Sequence, residues 1–183
     1  MGSAELTPKA NYIKNILVES KVNVCSDFTK YFIFPTLQPI ESGEYNIDGE
    51  LESEEELIKI IESTPQIMII GDHNSGKSTL LRHLFLQLIN NYTVLLCEIP
   101  DISGKKQHNI IKEVFTNIYG SDPAAYHLFE QQEISKKIIL IDDTNEIEPE
   151  HLAKLLSGLQ AHFSHIITPE LEHRKSGYVE RKR

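Results

Sequence analysis

The chain has 183 residues, enough for one domain with a sizeable buried core, and its 40% hydrophobic and 25% charged content is ordinary for a globular protein. A formal net charge of −9 argues against a surface built to coat nucleic acid, and no apolar run reaches the length of a membrane span. Cys25 and Cys97 lack metal-type spacing and are expected as reduced thiols in a cytoplasmic protein.

The opening Met-Gly-Ser-Ala-Glu-Leu has no basic-then-apolar leader, and Leu6 stands where a myristoylation signal needs Ser or Thr. Residues 9–20 predict a short helix with Tyr12, Ile13, Ile16 and Leu17 on one face. Residues 30–37 are more apolar but interrupted by Pro35, with Pro39 close behind, which suits an extended segment or edge strand. From Glu41 to Glu62 the chain is acidic, and residues 52–62 predict a helix with its acids at the N-terminus, where the dipole favours them.

Residues 67–70, Ile-Met-Ile-Ile, suit a buried strand, and residues 80–88 have apolar side chains at helical spacing. Between them, residues 71–79 read Gly-Asp-His-Asn-Ser-Gly-Lys-Ser-Thr, which fills the phosphate-loop pattern G-x-x-x-x-G-K-[ST]. Strand, glycine loop and helix is the context in which that pattern works. The backbone N–H groups of Asp72, His73, Asn74, Ser75, Gly76 and Lys77, which follow Gly71, can curl around a phosphate at the positive end of the helix behind the loop. Lys77 is expected to reach the β- and γ-phosphates, Ser78 to ligate Mg²⁺, and Thr79 to lie near the α-phosphate. His73 is expected to contribute only its backbone, and no pair of histidines has metal-ligand spacing.

Residues 93–99 predict a second strand, 110–119 a helix, and 124–132 a further short helix after the break at Gly120 and Pro123. Lys136 to Asp142 predicts a third strand, Pro149 opens a helix over 149–161, and residues 165–168 predict a fourth strand. The polar tail from Glu170 to Arg183 predicts a frayed end or a weak helix. Strands alternating with helices imply an α/β fold, a parallel sheet with helices on both faces, and a ligand at the carboxyl ends of the strands.

A phosphate loop needs a carboxylate to hold magnesium, and Asp142, following four apolar strand residues, is the candidate. Two acids are candidates for orienting water: Asp143, which on an extended segment would point away from Asp142, and Glu146, which has the longer reach. Asp143 is slightly favoured. Thr168, read as the end of the fourth strand, either senses the γ-phosphate or starts the turn at Pro169.

Together, Gly-Asp-His-Asn-Ser-Gly-Lys-Ser-Thr-Leu-Leu-Arg, Ile-Ile-Leu-Ile-Asp-Asp-Thr-Asn-Glu-Ile and His-Ile-Ile-Thr resemble the P-loop ATPases of the signal-transduction (STAND) class, which includes the NACHT proteins. The resemblance covers residues 66–168 and implies an additional-strand (ASCE-type) P-loop NTPase core. Residues 1–40 are then an N-terminal helix and linker, 41–65 an acidic linker and helix, and 169–183 a basic tail. NACHT-type proteins usually carry a small residue where Asp143 stands, whereas Glu146 matches the later acid of their pattern. The family continues past the fourth strand with an arginine-bearing sensor and a lid, so the C-terminal part is expected to be incomplete here. The resemblance implies an ATP- and Mg²⁺-binding switch of a signalling or defence ATPase, with slow or partner-dependent hydrolysis and self-association or a protein partner on ATP binding. No Asn-Lys-x-Asp sequence occurs, so ATP is expected over GTP. The alternatives are a AAA-type motor or loader acting on nucleic acid or protein, and a non-catalytic nucleotide-binding scaffold.

Overall fold

The structure, a computed structural model, describes residues 6–19, 32–38, 50–98, 107–144 and 147–171. In chain order it contains α1 (Ala10–Glu19), α2 (Glu54–Ser63), β1 (Gln66–Gly71), α3 (Lys77–Leu88), β2 (Thr93–Glu98), α4 (Gln107–Tyr119), α5 (Pro123–Gln131), a 3₁₀ turn (Ile134–Lys136), β3 (Lys137–Asp142), α6 (Pro149–Leu159) and β4 (His165–Leu171). The four strands form one all-parallel sheet in the order β1-β4-β3-β2, so this is an α/β fold. No helix among the described residues is long and apolar enough to cross a membrane.

Local chemistry sets the helix starts. Ser53 caps α2 by accepting from the Glu56 N–H, which satisfies one orphan donor of the first turn, while the Glu56 carboxylate reaches back to accept from the Glu52 N–H ahead of the cap. Asp122 caps α5 by accepting from Ala124 N–H, and Pro123 and Pro149 open α5 and α6, where a missing N–H costs nothing. The apolar stripes then face inward. Ile110, Ile111, Val114, Phe115 and Ile118 bury one side of α4, and Leu80, Leu81, Leu84, Phe85 and Leu88 bury α3. β2 and β3 are buried almost throughout, as a sheet covered on both faces requires.

Side-chain parity assigns the two faces. Glu98 pairs in register with Asp142, and both meet α3: Arg82 Nη2 lies 3.3 Å from Glu98 Oε1, and Ser78 donates to Asp142 Oδ1 at 3.0 Å. Lys137 belongs to the opposite parity, and its ammonium lies 4.8 Å from the Phe129 ring centroid, so α5 covers the other face. Burial there holds the Lys137 ammonium below its ordinary pKa.

Most elements lie within a few residues of their predicted spans; the expected extended segment or edge strand narrows to an extended segment, and one expectation changes. Residues 32–38 form no strand; their one β contact is an isolated antiparallel bridge between Leu37 and Leu51. The fourth strand does not end at Thr168. It continues through Pro169 and Glu170 to Leu171, where a frayed tail was expected. The reason lies in backbone alternation. Ile166 donates to Pro65 O, so Ile166, Thr168 and Glu170 turn their backbone groups toward β1, and Ile167 and Pro169 turn theirs toward β3. The β3 ladder stops at Ile167, so nothing requires the N–H that Pro169 lacks. Its carbonyl instead accepts from the Thr144 hydroxyl. Cys97 is buried in β2. Cys25, the first part of the acidic run and the tail beyond Leu171 lie outside the described residues.

β2 borders the sheet, and side chains complete its outer edge. The Tyr119 hydroxyl donates to Val94 O and accepts from Val94 N–H, both at 3.0 Å, and the Tyr12 hydroxyl donates to Leu96 O at 3.3 Å. Burial pushes the Tyr119 phenol well above its ordinary pKa, so it remains a donor at all physiological pH. Tyr119→Phe leaves two buried backbone groups of Val94 unpaired. The expected loss is about 1–3 kcal/mol of stability, read from the midpoint of a urea titration with an unchanged slope.

Candidate functional site

The glycine loop lies at the carboxyl end of β1 and runs into α3. A turn closed by Ser75 N–H donating to Asp72 O at 3.2 Å begins it, Asn74 adopts φ 61° and Gly76 φ 88°. Asn tolerates this left-handed backbone better than most residues, and glycine does so without strain. The two glycines serve different ends. A Cβ on Gly71 would lie 2.8 Å from Ser75 Oγ, so the loop closes tightly over it. A Cβ on Gly76 would meet nothing within 4 Å, so its backbone borders open space at the start of α3.

Lys77 folds back across this loop. Its ammonium donates to Gly71 O at 2.9 Å, to Asp72 O at 2.6 Å and to Ser75 Oγ at 3.3 Å. Asp72, His73, Asn74, Ser75 and Gly76 are exposed, while Lys77, Ser78 and Thr79 are half-buried. The loop residues therefore form an accessible curve with a cation across it.

The second half of the site reaches the loop from β3. Asp142 is buried at 3% exposure and accepts from Ser78 Oγ, joining residues 64 positions apart. It also accepts from the Asp143 N–H at 2.9 Å. That bond goes with a left-handed Asp143, φ 55°, so the segment is not extended there, and simple alternation does not set the direction of the Asp143 side chain. Asp143 is exposed at the end of β3; Glu146 lies outside the described residues. A hydroxyl and a carboxylate are hard oxygen donors, and their juxtaposition beside open backbone suits Mg²⁺, which binds through one or two protein oxygens plus phosphate and water. Among the described residues, no cluster of three or more His, Cys, Asp or Glu could hold a metal by itself.

Thr168 is not brought to the loop. It is level with Met68, three residues before Gly71, or roughly 10 Å along the strand at about 3.3 Å per residue. It is 1% exposed and its hydroxyl makes no hydrogen bond among the described residues. The residue that reaches the level of the loop on β4 is Glu170, paired in register with Ile70 and buried at 8% exposure. The sequence signal for Glu170 is present but faint: an acid two positions beyond an apolar strand, behind a proline that reads as a terminator.

No protein-family model matches the chain, and no curated protein matches it. The arrangement itself offers exposed backbone at a helix N-terminus, one ammonium, and a hydroxyl–carboxylate pair, a set of groups suited to a phosphorylated ligand with a divalent cation.

Thr168→Val removes a buried hydroxyl that makes no hydrogen bond among the described residues. The expected result is a gain of about 1 kcal/mol, which raises Tm by about 2–4 °C for a chain of this size, with ligand affinity unchanged. A fall in ATP affinity without a gain in Tm would restore Thr168 to the site.

Proposed function

We propose that the protein is a P-loop ATPase module of the additional-strand type, an ATP-binding switch of a signalling or defence protein with slow or partner-dependent hydrolysis. The observation that carries the reading is the Ser78–Asp142 hydrogen bond, because it joins the glycine loop to the strand-ending carboxylate that such a site requires. The strand order supports it further: β4 lies between the loop-bearing strand and the Asp142 strand, as expected of the additional-strand class.

In this reading the N–H groups of residues 72–77 and the Lys77 ammonium bind the phosphates. Binding requires Lys77 to exchange its two carbonyl acceptors and the Ser75 hydroxyl for phosphate oxygens. Ser78 and Asp142 would hold Mg²⁺, which supplies positive charge to the phosphate oxygens. Thr79 follows in the first turn of α3, near the α-phosphate. Phosphoryl transfer also draws on a cation at the outer γ-phosphate oxygens, which in comparable systems contributes 10³–10⁵-fold in rate. Arg82, on the loop-bearing helix, is engaged by Glu98 at 3.3 Å. Among the described residues Arg82 is thus already engaged, and a second copy of this chain or a protein partner would supply that charge, so turnover rises on assembly. The reading belongs in the cytoplasm, where Mg·ATP is plentiful.

Lys77→Ala should weaken Mg·ATP binding by at least about tenfold, the loss of one charge-assisted contact, with little change in Tm because the Ser75–Asp72 turn remains. Calorimetry on wild type and variant checks it, and equal affinities would remove Lys77 from the phosphate site. Asp142→Asn should weaken ATP binding in Mg²⁺ much more than in EDTA. An equal loss in both buffers would make Asp142 a cap for the Asp143 N–H and nothing more.

A further inference from the structure

We propose that the protein carries a second small-ligand site, on the sheet face opposite α3, and that this site takes a zwitterionic α-amino acid with an aromatic side chain. The site is a cavity of about 240 Å³ walled by α4, α5 and the first residue of β3. It has room for a molecule of about a dozen non-hydrogen atoms and falls short of the ~300–1,000 Å³ typical of pockets for larger ligands. A nucleotide is too large for it.

The lining divides into an aromatic wall and two opposite charges. Ile111 and Phe129 are buried, and half-buried Tyr126 completes the wall. The Tyr126 ring lies 5.9 Å from the Phe129 centroid and 6.3 Å from that of His108, so the rings support one another. A flat apolar ring is the natural complement of such a surface.

Lys137 supplies the positive charge. It is buried at 6% exposure, with its ammonium 4.8 Å from the Phe129 centroid. Among the described residues that ammonium makes a single hydrogen bond, a long one of 3.4 Å to Glu130 O. An ammonium has three donors, and one taken out of water calls for an anion. Burial holds the Lys137 pKa down, with the Glu130 carboxylate working the other way. The same carboxylate adds to the effect of burial in raising the Tyr126 phenol, so it stands close to both side chains. Glu130 is itself exposed, at the mouth of the cavity with His108.

A ligand carboxylate on Lys137, a ligand ammonium on Glu130 and a ring against Tyr126 and Phe129 answer all three features at once. An α-amino acid carries those groups on one carbon. Glu130 opposes a simple anion here, and Lys137 opposes a simple cation. The site shares no residue with the glycine loop, and Lys137 and Asp142 have opposite parity on β3. The proposal therefore stands apart from the ATPase reading.

The test is calorimetry on the full chain at neutral pH, with phenylalanine, phenylpropionate, phenethylamine and alanine as probes. Phenylalanine should bind in the millimolar range or tighter, as suits a ligand of its size. The other three each lack one of its groups and should bind about tenfold more weakly or worse. Lys137→Met keeps the apolar stem. It should weaken phenylalanine about tenfold without lowering Tm, because an apolar side chain in place of a buried charge is well tolerated. Glu130→Gln, at an exposed position, should abolish the preference for phenylalanine over phenylpropionate. Equal binding of those two probes by the wild type overturns the zwitterion assignment. Failure of every probe to bind, or phenylalanine binding that neither variant alters, overturns the site.

Discussion

Ile166 donates its N–H to the carbonyl of Pro65, and the arrangement of the sheet's carboxyl end follows from that one register. It makes Thr168 level with Met68 and Glu170 level with Ile70. It turns the backbone of Pro169 toward a side where the β3 ladder has already ended, so a residue without an N–H is accommodated inside a strand. It also brings the Pro169 carbonyl within reach of the Thr144 hydroxyl, two residues past Asp142. The exit of β3 is thereby stitched to the end of β4, and the short segment that carries Asp142 and Asp143 is held between them. A one-residue slip would exchange the faces of Thr168, Pro169 and Glu170 and remove that stitch.

The loop at the end of β1 is satisfied by its own lysine. Three acceptors, two of them backbone carbonyls, surround the Lys77 ammonium, and the bonds to Asp72 O and Ser75 Oγ lie exposed to solvent. This keeps a chain of exposed residues in a closed curve, with left-handed Asn74 and Gly76 already in the conformations that the curve requires. An incoming anion has to compete with those carbonyls, and it offers the ammonium oxygens of full negative charge in exchange. The loop is thus pre-shaped, and its one polar exchange involves a side chain rather than a refolding of backbone.

Much of this was legible in the sequence, and the reason is locality. The glycine loop, the four apolar residues before Asp142 and the proline starts of α5 and α6 are each written in contiguous residues, and each is found where its pattern lies. What was not legible depends on pairing across the sheet. Whether Pro169 ends β4 depends on which neighbour its missing N–H would have faced, which no window of the chain contains. The opposed directions expected of Asp142 and Asp143 assumed extended backbone, but the Asp142 carboxylate draws in the following N–H and turns Asp143 to a positive φ. The edge role of Tyr12 and Tyr119 is a tertiary matter too, since a helical stripe shows only that these rings face inward.

Helix α3 carries the loop, and the forces on it differ in kind. Leu80, Leu81, Leu84, Phe85 and Leu88 are almost fully buried, each contributing about 1.5–3 kcal/mol. The Arg82–Glu98 pair is partly exposed and contributes at most about 1 kcal/mol. On its N-terminal flank, His83 is buried with Nε2 2.5 Å from Glu54 Oε2 and its ring stacked on Phe32 at 3.8 Å, which fastens α2 and the segment 32–38 to the middle of the helix. Apolar burial therefore fixes where α3 lies, and the polar ties along it fix how it is turned. Since position does not depend on the hydrogen bonds of Lys77 and Ser78, those two side chains can change partners while the helix and the strand beside it stay in place. A fold organised this way keeps its most exchangeable bonds at its first turn, next to Gly76 and open space, and its least exchangeable contacts one turn further in.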